Sequence, residues 1–123
     1  MNLAIRSAIL FLLALAAPAF AAHHELPAVA DILAQMNHFP SEAQQTTLVA
    51  IGQDESVDQD LRTIALAVAH IQHQVPDVYK TQLEAIVADA DASDAEKTLA
   101  GAALRFNHKA TAEDSAALMA LTE

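Results

Sequence analysis

Six histidines hold most of the chemistry this chain could perform, and two sets of them have informative spacing. His23 and His24 follow Ala22 directly. If Ala22 is the N-terminal residue, its free amine, two backbone amides and the His24 imidazole make four nitrogens. That is the square-planar donor set favoured by Cu(II) and Ni(II). His23 and His24 are therefore the candidate metal residues of the sequence, with copper or nickel as the implied ion.

The second set is His38, His73 and His108, each 35 residues from the next. In a linear stack of helices, matched positions lie on the order of 10 Å apart. Metal–nitrogen bonds are near 2.0–2.1 Å, so the sequence predicts that these three do not share an ion. Their expected role is to close helices, donating to the last carbonyls at the negative end of the helix dipole. His70 and His73 are spaced i, i+3 and can share a helix face, but no third ligand is placed beside them by the sequence.

Other chemistry has little support. Asp89-Ala90-Asp91-Ala92-Ser93-Asp94 opens like a calcium loop but lacks the glycine and the closing glutamate. It reads as a capped, solvated connector. No cysteine is present, and no Gly-x-Ser-x-Gly, His-Glu-x-x-His or phosphate-loop motif occurs. The chain reads as non-enzymatic.

The elements that must position these residues begin after an export signal. Residues 1–21 carry Arg6, an apolar run from Ala8 to Ala17, and Ala19-Phe20-Ala21. This is the pattern of a cleavable signal peptide cut between Ala21 and Ala22. The apolar run is shorter than the roughly 20 residues a spanning helix needs. The expected location is periplasmic or secreted, with no membrane span after cleavage. Residues 22–26 read as a flexible leader and 27–123 as one domain.

Charge narrows the partners. The whole chain has a formal charge of −10; without Arg6, five Lys and Arg face sixteen Asp and Glu, giving −11. Such a surface opposes nucleic-acid binding, which depends on cations displacing counterions.

The domain reads as all-α, with a 35-residue internal repeat. Leu48, Leu83 and Leu118 fall in register with the three histidines, as do Ala50, Ala85 and Ala120, and Ala30, Ala65 and Ala100. One helix of each unit opens near Ser41, Pro76 or Thr111, and the other near Ser56 or Asp58 and near Ser93. Gly52 is expected to stop the first of these helices. Val78, Leu83, Ile86 and Val87 are expected to form an inward stripe. Half-units at both ends bring the count to six short helices, packed as stacked hairpins or, alternatively, as a compact bundle. Repeat stacks offer extended binding surfaces. The function read from the sequence is therefore an interaction module for an unknown protein or peptide. The alternative is a periplasmic copper- or nickel-binding or metal-buffering protein using Ala22-His23-His24.

Overall fold

A computed structural model of the chain describes residues 24–123. Residues 1–23, which include the expected signal peptide and cleavage site as well as Ala22 and His23, lie outside the described residues. The fold is all-helical. Helix α1 covers 24–35, followed by α2 (Glu42–Gln53), α3 (Gln59–Ala69), α4 (Asp77–Ala88), α5 (Asp94–Arg105) and α6 (Ala112–Ala120). His24, Glu25 and Leu26, assigned to the leader from sequence, are helical. None of the described helices is long and apolar enough to cross a membrane.

Local sequence sets the helix starts. Ser41 accepts from the Gln44 amide while Gln44 reaches back to the Ser41 amide, closing a capping box; Ser93 and Glu96 do the same for α5. Thr111 caps α6 through the Asp114 amide. Pro76 occupies the cap position of α4, where its fixed φ suits the extended conformation. Asp58 rather than Ser56 caps α3. Ser56 instead gives its amide and hydroxyl to Asp54 in the connector, and Asp89 accepts from the Asp91 amide at the matching turn.

The helices fall into two burial classes. Helix α3 buries Leu61, Ile64, Ala65, Ala67, Val68 and Ala69, and α5 buries Leu99 to Ala103 without a break. Helix α1 buries Val29, Ala30, Ile32 and Leu33. By contrast α2 buries only Leu48 and Ile51, and α4 only Leu83 and Ile86. Helices α1, α3 and α5 thus carry the broad apolar faces of one continuous core, and α2, α4 and α6 cover them. Of the two arrangements left open by the sequence, the protein takes the compact bundle. The alanine-rich faces permit it, because small side chains let helices approach closely. Val78 and Val87 are exposed, not inward as expected, because an outer helix needs only a narrow stripe.

Gly52 is another correction. It does not end α2, which runs on to Gln53. A Cβ at Gly52 would collide with Cγ and Cδ2 of Leu66. The glycine marks close contact between α2 and α3, which pack tightly together.

The junctions from inner to outer helices vary in chemistry. Arg105 donates to Asp114 through Nε (2.9 Å) and Nη2 (2.7 Å), joining α5 to α6. The residues 35 positions earlier, His70 and Tyr79, stack at a centroid distance of 5.6 Å and join α3 to α4.

Candidate metal centre

The segments after α1, α3 and α5 share a burial pattern. Met36 and Pro40 are buried, and Asn37, His38 and Phe39 between them are exposed. Ile71 and Val75 flank exposed Gln72, His73 and Gln74 in the same way, and Phe106 and Ala110 flank Asn107, His108 and Lys109. Each segment is thus anchored on both sides of a three-residue tip, with a histidine at its centre.

At each tip the backbone turns sharply. His38, His73 and His108 have φ of 65°, 68° and 67°, and no other non-glycine residue in the described chain has positive φ. The histidines themselves, not the Asn37, Gln72 and Asn107 before them, take this left-handed conformation. For a residue with a Cβ it costs roughly 1–2 kcal/mol. Such strain persists only where the surroundings enforce it. At His38 the Phe39 amide donates to the Asn37 carbonyl at 2.7 Å, closing a three-residue turn.

A ring of hydrogen bonds enforces the strain. The His38 amide donates to the His108 carbonyl (2.5 Å), the His73 amide to the His38 carbonyl (2.6 Å), and the His108 amide to the His73 carbonyl (2.7 Å). Three turns far apart in sequence are thereby tied around one point. The imidazoles follow their backbones inward. Ring centroids are 5.1 Å apart for His38–His73 and His38–His108, and 4.6 Å for His73–His108. His108 Nδ1 lies 3.0 Å from the Nδ1 of both His38 and His73.

This overturns the expectation that the three histidines could not share an ion. That expectation assumed units displaced along a line. In the closed bundle the chain returns on itself, and matched positions converge. Nor do these histidines close their helices. The one that does is His70, at the C-cap of α3, with Nδ1 2.7 Å from the Leu66 carbonyl oxygen. His70 is engaged there and stacks on Tyr79, and it is not a member of the three-histidine cluster. Of the candidates at the N-terminus, His24 is exposed at the start of α1, and His23 lies outside the described residues.

Chemically, the centre is a set of three imidazoles with one ligand atom from each within 4.8 Å of the others. A tetrahedral zinc ion, with bonds near 2.0–2.1 Å, needs nitrogens roughly 3.3 Å apart. The two 3.0 Å separations, His38–His108 and His73–His108, reach that value with a small outward tilt of the rings. His108 Nδ1 faces the Nδ1 of both other rings, and one proton can bridge only one of these pairs. A shared cation satisfies all three. The field has the same sign: α1, α3 and α5 end just before the three turns, and each helix C-terminus carries about half a negative charge.

A second cluster, Asp58, Asp60 and Glu96, lies at the first turns of α3 and α5. Burial, and next a hydrogen bond to Asp58, push Glu96 up to about 7. The bond from Glu96 holds the Asp58 carboxyl below the usual range. A protonated Glu96 donating to the Asp58 carboxylate accounts for both.

No protein-family model, curated protein or solved structure matches the chain.

Proposed function

We propose that this chain is an exported, non-enzymatic transition-metal-binding protein whose site is the His38–His73–His108 centre. The observation that carries this reading is the convergence of three Nδ1 atoms on strained, mutually hydrogen-bonded turns. Imidazole suits zinc, copper and nickel, and zinc sites built from three histidines keep a fourth position open. The acidic chain, at −10 overall, raises the local concentration of cations.

This moves the metal reading from the N-terminal Ala22-His23-His24 motif to the opposite ends of the inner helices. The interaction-module reading has weaker support. The exposed apolar residues Val78, Val87 and Met119 do not recur as an apolar stripe 35 residues away. Val78 corresponds to Ala43 and Glu113, Val87 to Gly52 and Thr122, and Met119 to Val49 and Glu84.

Calorimetric titration of the metal-free protein with Zn(II) tests the reading. One site per chain is expected, retained in His24→Ala and lost in His73→Ala. Equal zinc binding by the His73→Ala protein refutes it.

A further inference from the structure

Three protein ligands leave a tetrahedral ion one position short, and nothing in the cluster of described residues supplies a fourth. All three rings are exposed, so a ligand from solution can reach that position. Neutral imidazoles leave a divalent ion its full double charge. The free position therefore favours an anion.

One side of the centre is shaped differently from the others. The residues after the three histidines are Phe39, Gln74 and Lys109. Phe39 is 60% exposed, second only to Val78 among the exposed large apolar side chains described. The bundle has no need of an aromatic there, since a glutamine and a lysine serve at the matching turns. Beside Phe39 lies a groove of about 470 Å³ that is walled by Pro40, Ile71 and Ala69 and reaches His73. Gln45 and Gln72 add neutral amides, His70 contributes an imidazole, and no carboxylate lines the groove. Its volume is in the range of small-molecule sites. The groove is thus an acid-free, largely apolar trough that abuts one ligand of the centre, on a chain that is acidic elsewhere.

We propose that the metal-loaded centre binds a small monocarboxylate with an apolar or aromatic body. The carboxylate fills the fourth position of the ion, and the body lies in the groove against Phe39, Pro40 and Ile71. The inference rests on the metal-binding reading above. Charge complementarity selects the head group, and the acid-free walls select the body. Lys109 follows His108 in the chain, so one of the three turns carries a positive charge.

Cobalt(II) loading of the full protein tests this, because tetrahedral cobalt has a strong visible spectrum that responds to exchange of its fourth ligand. Phenylacetate is expected to shift the bands at a concentration at least about tenfold below that needed for acetate, a preference of about 1.4 kcal/mol. Phe39→Ser should take up cobalt as the parent protein does and lose most of that preference. If no tetrahedral cobalt spectrum forms, the metal reading itself fails. If cobalt binds but acetate and phenylacetate act at equal concentrations, or Phe39→Ser leaves the preference intact, the carboxylate proposal is overturned while the metal reading stands.

Discussion

The Nδ1 atoms of His73 and His108, residues 35 apart in the chain, stand 3.0 Å from each other. The His108 amide donates to the His73 carbonyl at the same junction. Backbone and side chain thus make the same pairing, so the backbone that carries each ring is placed by the fold. For the proposed metal site, ligands carried on a fixed backbone reduce the conformational entropy lost on binding.

That pre-organisation has a stability cost that glycine would remove. Glycine adopts the left-handed region without a Cβ clash. Relief of the roughly 1–2 kcal/mol of strain, less roughly 0.5–1 kcal/mol for glycine's chain entropy, is expected to leave metal-free His73→Gly at least as stable as the parent while abolishing zinc binding. Chemical denaturation with and without zinc measures both effects. A large loss of metal-free stability would show that the imidazole has a packing role.

Metal binding should raise the melting temperature. At a free zinc concentration about 100 times the dissociation constant, the gain is about 2.7 kcal/mol, or roughly 10 °C or more for a domain of this size. Acidification should remove the gain, because protons compete for the ligand nitrogens. Thermal melts at several pH values, with zinc and with chelator, check this. The two series should converge in acid.

Much of this fold is legible in the sequence. Ser41, Ser93 and Thr111 announce the helix starts because capping depends on residues three positions apart. Leu48, Ile64, Leu83 and Leu99 announce the core by their periodicity, and all four are buried. The angle between successive helix pairs is not encoded so locally. It comes from how small side chains such as Ala100, Ala102 and Ala103, all buried, nest against neighbouring helices. A small change in that angle separates an open stack from a closed bundle.

The convergence of the histidines exists only once the bundle closes, so helix spacing alone argues against it. One signal for it does stand in the sequence. Histidine is the only polar residue type identical at three positions spaced 35 apart. A residue that lies near the axis of a closed ring must meet its counterparts.

The contact at Gly52 allows a double-mutant test. Gly52→Ala adds a Cβ that collides with Leu66 Cγ. The expected cost of overpacking, about 1–3 kcal/mol, outweighs the roughly 1 kcal/mol gained in helix propensity. In a Leu66→Ala background the collision is gone, and Gly52→Ala should stabilise the protein. The same sign in both backgrounds would contradict the tight α2–α3 approach.

The Glu96–Asp58 pair gives the bundle a pH dependence separate from the histidines. Glu96 is raised from 4.5 to about 7, chiefly by burial and then by its bond to Asp58. Burial, and next the charges of Asp58 and Asp89, raise Asp60 as well. For a group raised in the folded state, the stabilisation is fully present below the unfolded value and is lost as pH rises through the folded value. The Glu96 contribution should therefore fade between about pH 4.5 and 7 in the metal-free protein. Glu96→Gln keeps a hydrogen-bond donor toward Asp58 and removes the titration. Its melting temperature should exceed that of the parent above neutral pH, and an equal pH dependence in both proteins would count against the shared proton.

The most direct test of the central claim is X-ray absorption at the zinc edge of protein loaded with one equivalent of Zn(II). The expected first shell is three imidazole nitrogens and one exchangeable ligand from solution, at about 2.0–2.1 Å. The imidazole signature should be lost in His73→Ala and kept in His24→Ala. A shell dominated by carboxylate or water oxygens, or one unchanged in His73→Ala, would contradict it.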